Sequence, residues 1–168
     1  MIVLVTGVAG AGKSTVGGQL AKRLGWLFIE GDALHSEHNI ARMARGEPLT
    51  DADRAPWLAL LRCRIDEHLE RGVPAVIATS ALRKSYREQL KAGDARILVV
   101  FLDADSEVAR SRLQQRRGHF FRPELLDSQY ETLERPGDAL TLPADLPVAT
   151  LVDCIIDHIA AYHPDSVS

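Results

Sequence analysis

Cysteine is scarce in this chain: 168 residues contain two, Cys63 and Cys154, with no C-x-x-C pair. That spacing argues against a zinc site, and both fall in helical patterns, so they read as packed thiols of a reducing compartment. No apolar run approaches the roughly 18 residues a membrane span needs. The N-terminal run Ile2-Val3-Leu4-Val5 is too short for a secretory signal, so it reads as structure. The sole asparagine, Asn39, is not in an N-K-x-D context, which argues against a guanine-reading switch. Net charge is only −3, giving no overall pull toward nucleic acid or anionic membrane. Repeats, low-complexity tracts and domain-length linkers are also missing. These absences leave a soluble, cytoplasmic single domain as the expectation, spanning residues 1–168, with no nucleic-acid or membrane partner. A composition of 46% apolar and 26% charged residues fits that class.

What is present begins directly after that first apolar run. Gly7, Val8, Ala9, Gly10, Ala11, Gly12, Lys13 and Ser14 fit G-x-x-x-x-G-K-[ST], the phosphate-binding P-loop, with Thr15 following. A strand before and a helix from about Lys13 are the context this motif needs. In it, backbone N–H groups and the helix N-terminus face an anion, Lys13 reaches the terminal phosphates and Ser14 ligates Mg²⁺. The motif therefore predicts binding of ATP or a similar triphosphate.

Periodicity continues in βα alternation. Val16, Leu20 and Leu24 mark the first helix, which Gly25 ends; Gly17 and Gly18 read as close packing against a sheet. Residues 26–29 read as the second strand, 34–45 as a helix with His35, Asn39 and Arg42 on one face, and Asp53 as the N-cap of the next. Pro56 is placed in that helix's first turn, where its missing N–H is harmless. Further strands are predicted at 75–78, 97–102 and 139–142, with helices marked by Tyr86 and Leu90, by Val108 and Leu113, and by Val152, Ile155 and Ile159. Residues from His163 onward read as frayed. The fold class is α/β: a three-layer P-loop fold, a parallel sheet of about five strands, helices on both faces, and a helical lid over about 114–136.

Asp103 after the fourth strand is followed by Ala104, so the acidic pair of an AAA-type ATPase is missing. The arginine-rich stretch with Arg110, Arg112, Arg116, Arg117 and Arg122 suits a small kinase, which must supply cations to a transferring phosphate. Arg110 and Arg117 also read as a solvated helix face; Arg112 and Arg116, at i and i+4, share a direction.

The segments Gly31-Asp32-Ala33-Leu34-His35, Asn39-Ile40 with Met43, and Gly46-Glu47-Pro48-Leu49 add a more specific pattern. So do Asp51, Asp53-Arg54-Ala55-Pro56-Trp57-Leu58, Ser80-Ala81-Leu82 with Tyr86-Arg87, and Leu125-Leu126 with Gln129 and Glu131-Thr132-Leu133-Glu134. With Arg116-Arg117-Gly118-His119-Phe120-Phe121, these make the chain resemble the small P-loop gluconokinases, relatives of shikimate and adenylate kinases. Arg83, where the family often has Lys, and Thr79, where many members carry Cys, are departures.

The resemblance implies transfer from ATP to the 6-hydroxyl of gluconate, with Mg²⁺, in a homodimer. Lys13, Asp32 and Arg116 become the candidate catalytic residues, and Arg112 and Arg116 the cationic partners of the nucleotide. Asp32 orients the hydroxyl and takes its proton, or holds a Mg²⁺-bound water. His35, Asn39 and Ser80 are candidate contacts for sugar hydroxyls, and Arg54 clamps the carboxylate, with Arg83 and Arg87 as alternates. Trp57 reads as a hydrophobic wall of the site or a core residue. A related kinase for shikimate, adenylylsulfate or a nucleotide, or a P-loop regulatory module, remains the alternative.

Overall fold

The computed structural model describes residues 1–115 and 125–162. Five parallel strands stand in the order β2-β3-β1-β4-β5: β1 Ile2–Thr6, β2 Leu27–Glu30, β3 Ala75–Ala78, β4 Ile97–Asp103 and β5 Leu140–Pro143. Strand β1 is central, its residues 2–5 facing 75–78 of β3 on one side and 97–100 of β4 on the other. The loop leaving β1 therefore emerges at the middle of the sheet's C-terminal edge, where parallel α/β sheets bind ligands.

Alternation along β1 builds two cores, because successive side chains point to opposite faces. Val3 and Val5 pack with Val16 and Leu20 of α1 (Lys13–Leu24) and with Leu151, Val152 and Ile155 of α7 (Val148–Tyr162). Ile2 and Leu4 pack on the other face with Leu58, Leu61 and Ile65 of α3 (Asp51–Glu70) and Leu90 of α4 (Lys84–Lys91). A third, smaller cluster joins Met43 of α2 (Glu37–Ala44), Leu49 and Leu125 of α6 (Leu125–Thr132), bringing α2 and α6 together across the open edge.

Several local expectations change. The helix expected at 34–45 begins only at Glu37: residues 31–34 form a 3-10 turn, and the Ser36 hydroxyl caps α2 by accepting from Asn39 N–H at 3.2 Å. His35 is extended (φ −60, ψ 146) and shares no helix face with Asn39. Thr50, not Asp53, caps α3, in a capping box in which Asp53 N–H donates to Thr50 and the Asp53 carboxylate accepts from Thr50 N–H. Pro56 thus lies in the second turn and leaves the carbonyl of exposed Ala52 to solvent. Gly17 does pack closely, since a Cβ there would stand 2.9 Å from Phe28, but Gly18 faces open space. Cys63 is exposed rather than packed, because its place on α3 lies outside the Leu61/Ile65 stripe. The helix marked by Tyr86 and Leu90 is α4, starting at Lys84, and α5 spans Ser106–Gln115 directly after Asp105. The basic stretch at residues 116–122 and the end from His163, expected to be frayed, lie outside the described residues.

Candidate active site

The P-loop is shaped by close approach. Gly10 has φ +82, and a Cβ on it would stand 2.4 Å from the carbonyl oxygen of Ala109 in α5, so no larger residue fits. Gly12 ends the loop in the left-handed region as the N-cap of α1 and, lacking a side chain, provides no side-chain cap to the first turn. The first N–H groups of α1 are thereby left for an anion. Lys13 is 7% exposed; its Nζ donates to Val8 O at 3.1 Å and lies 3.8 Å from Asp32 Oδ2.

Asp32 comes from the 3-10 turn after β2. That turn sits close against the sheet because a Cβ on Gly31 would meet Ala78 O at 2.7 Å. Ser80, just past β3, holds both carboxylate oxygens: its N–H donates to Oδ1 at 2.9 Å and its hydroxyl to Oδ2 at 2.6 Å. Neighbouring strands β2 and β3 thus deliver a carboxylate of fixed orientation to the P-loop lysine. Ser80 borders the same cleft, but its polar groups serve Asp32.

Beside it, His35 stacks on Trp57 with ring centroids 4.3 Å apart and planes 16° apart, and Trp57 Nε1 donates to Gly31 O at 2.8 Å. Burial lowers the His35 imidazole to about 4; Asp32 opposes the shift and Arg54 adds to it. Its Nδ1 is buried without a hydrogen-bond partner among the described residues. The ring is neutral at ordinary pH and forms, with Trp57, a flat wall of the cleft.

This depressed value makes stability pH-dependent. An unfolded imidazole titrates near 6.5, so between about pH 6.5 and 4 the unfolded chain binds a proton that the native one does not. The contribution is constant above pH 6.5 and is lost as pH falls toward 4. His35→Phe keeps a flat ring on Trp57 and removes the titration. Between pH 7.5 and 5 the native protein should lose on the order of 1–2 kcal/mol more stability than the variant in urea unfolding. Equal losses would refute a buried neutral His35.

The candidate carboxylate clamps separate. Arg54 borders the cleft, held by donation from Nη1 to Leu49 O at 2.7 Å and by its place 6.0 Å over the Tyr86 ring. Arg83 lies outside the cleft lining and pairs with Asp51 at 2.6 Å, an acid that also accepts from Tyr86 Oη. Arg87 is corrected: it is 6% exposed and donates to Ala81 O at 3.1 Å, Leu82 O at 2.7 Å and Glu134 O at 2.7 Å, so its fork holds backbone instead of facing substrate. Asn39 is corrected likewise. It is buried, its amide donates to Asp53 O at 2.7 Å, and it ties α2 to α3 outside the cleft lining. Arg112 lies against the P-loop, donating to Ala11 O at 3.4 Å and to Ala144 O at 2.8 Å. Arg116 lies outside the described residues. One contact had no counterpart in the reading of roles: Ala9 N–H donates to Gln129 Oε1 of α6 at 2.7 Å, a pairing across 120 residues that no local pattern signals.

A family model described as an AAA domain matches residues 2–136. The gluconokinase of Gluconobacter oxydans is 52% identical over 136 residues, covering 81% of this chain and 76% of that protein. The thermoresistant gluconokinase of Escherichia coli is 40% identical over 94% of this chain and 93% of its own length. The chain belongs to the gluconokinase family. A crystal structure of a gluconokinase from Sinorhizobium meliloti superposes with TM-score 0.82 at 39% identity, covering 98% of this chain and 93% of that one. The AAA-domain match reflects the P-loop core shared with such ATPases; Ala104 still follows Asp103, and the full-length relatives are kinases by name.

Within this gluconokinase-family chain, Thr79 is an interior residue: it is 0% exposed and its hydroxyl has no partner among the described residues. A buried unpaired hydroxyl destabilises, and an apolar replacement of the same shape removes that cost. Thr79→Val should raise stability by about 1 kcal/mol, a melting shift of roughly 2–4 °C at this size, without altering turnover. A lower melting temperature would show that the hydroxyl is satisfied.

Proposed function

We propose that the protein transfers the terminal phosphoryl group of ATP to the 6-hydroxyl of D-gluconate, giving 6-phospho-D-gluconate and ADP in gluconate catabolism. The observation that carries this reading is the Lys13–Asp32 pair at 3.8 Å: a phosphate-loop cation and an acceptor-side carboxylate meet in one cleft that Arg54 also borders. The named gluconokinases, similar along most of the chain, support the same acceptor.

Lys13 holds the terminal phosphates. Asp32, oriented by Ser80, aligns the 6-hydroxyl and accepts its proton as attack proceeds. Arg54 pairs with the sugar acid's carboxylate, and the His35–Trp57 wall excludes water along the chain. Arg112 and Arg116 serve the nucleotide side, and residues 114–136 act as the lid. Mg²⁺ fits the donor set. Among the described residues no cluster of three acids or histidines exists, but Mg²⁺ on a nucleotide needs few protein ligands, and the Ser14 hydroxyl at the cleft supplies one. When bound, the ion neutralises phosphate charge. The reading includes a cytoplasmic homodimer with no nucleic-acid or membrane partner; among the described residues no helix is long and apolar enough to cross a membrane.

The test is ADP release measured with gluconate, shikimate, adenylylsulfate and nucleoside monophosphates as acceptors. Turnover should depend on gluconate. Turnover with another acceptor, or hydrolysis alone, would overturn the reading.

A further inference from the structure

Helix α6 turns one face to the cleft, and its cleft residues Leu125, Ser128, Gln129 and Thr132 are spaced i, i+3, i+4, i+7. Two of the three polar side chains on that face serve their own helix: Ser128 Oγ donates to Leu125 O and Thr132 Oγ1 to Ser128 O, at 2.8 and 2.7 Å. Gln129 alone of these crosses to the P-loop, where its Oε1 accepts from Ala9 N–H at 2.7 Å.

This contact is not what anchors α6. Tyr130 Oη donates to Ala104 O at 2.7 Å, Arg110 pairs with Asp127 at 2.5 Å, and Glu134 N–H donates to Leu82 O at 3.0 Å. The helix is thus tied to the body on both sides of Gln129 by other groups.

The chemistry of the partner fixes which way the carboxamide faces. A backbone N–H can only donate, so oxygen must face Ala9, and the two Nε2 hydrogens stand on the opposite side of the same carbon. Ala9 is the third residue of the phosphate loop, on the wall of the cleft shared with Lys13 and Asp32. A neutral donor held there adds hydrogen bonds to phosphoryl oxygens without a further charge beside Lys13 and Arg54.

We propose that Gln129 is a contact residue for the phosphoryl group in transfer: the Ala9 amide locks its oxygen, and its Nε2 hydrogens donate to the phosphoryl oxygens between Lys13 and Asp32. This rests on the kinase reading above. Gln129→Glu keeps the shape and the acceptor for Ala9 N–H but replaces the donors with a negative charge, so the uncharged Gln129→Met is read beside it. Gln129→Met removes both.

Both variants should melt near the native protein and lose about 10²-fold in kcat, the usual effect of removing one preorganised donor, with gluconate KM within about threefold. In calorimetric titration both should bind ADP like the native protein, while affinity for adenylyl imidodiphosphate falls about tenfold relative to ADP. Native kcat in Gln129→Glu would reduce Gln129 to a prop for the Ala9 amide and overturn the proposal. So would a raised gluconate KM at native kcat, or an unchanged ratio of the two nucleotide affinities. The titration contains no gluconate, so a failure of the acceptor assignment shows in the native protein's turnover and leaves the nucleotide ratio to judge Gln129.

Discussion

Lys13→Ala lowers kcat by about 10³-fold or more while the protein stays folded. A P-loop lysine ammonium reaches the terminal phosphates, and in a water-excluded cleft one preorganised group of this kind supplies several kcal/mol of transition-state stabilisation. Lys13 is almost wholly buried at 7% exposure, so solvent cannot replace it. The fold survives because the side chain's own contacts are local, to Val8 O and to Asp32, while α1 is held by Val16 and Leu20 in the core. Steady-state kinetics with a melting curve check both halves. A variant within tenfold of the native rate would remove the loop from catalysis.

Asp32→Asn is the second large effect, a fall of about 10²–10⁴ in kcat with nucleotide KM little changed. The substitution preserves shape, and Ser80 N–H still has an oxygen to bond at Oδ1, so the loss reports the missing carboxylate and not a displaced turn. Asparagine can still align a hydroxyl but cannot take its proton. A different pattern, weakened binding of nucleotide with Mg²⁺ and little loss at saturation, would assign Asp32 to the metal's water instead. Ser80→Ala provides a companion measurement: it keeps the backbone donor, removes the hydroxyl bond to Oδ2, and should cost less than Asp32→Asn.

Much of the architecture was legible along the chain because it is written in local signals. All five strands were recognised from apolar runs bounded by turn residues, and they lie within one residue of the expected limits at each end. The helix at Lys13 was set by the motif itself. Errors gathered at helix starts, where one hydroxyl decides. Ser36 and Thr50 each cap a helix, but the apolar stripes begin elsewhere, so periodicity placed one start too early and chose Asp53 over Thr50.

The site divides in the same way. Gly7 to Ser14 is contiguous, and its geometry follows from positive-φ glycines and the helix that begins at Lys13, so sequence alone identified the phosphate half. Asp32 was placed by its position after a strand. Sequence puts Arg54 first as the carboxylate clamp, with Arg83 and Arg87 as alternates, but contains nothing that shows which of them borders the cleft. All three are cations, and what removes Arg87 is distant: its fork holds the carbonyl of Glu134, 47 residues away, whereas Asp51 lies beside both Arg83, at 2.6 Å, and Arg54, at 3.8 Å. The same holds for Asn39, whose amide is taken up by Asp53 O, and for Gln129, whose partner is Ala9.

The sequence by itself determined the P-loop, the βα order, the family and therefore the chemistry expected, because those are carried by contiguous motifs and short-range periodicity. Only the tertiary structure decided which polar side chains face the cleft and which are held by backbone. A hydrogen bond between residues 120 positions apart depends on how the strands order and the helices pack, and no window of sequence contains it.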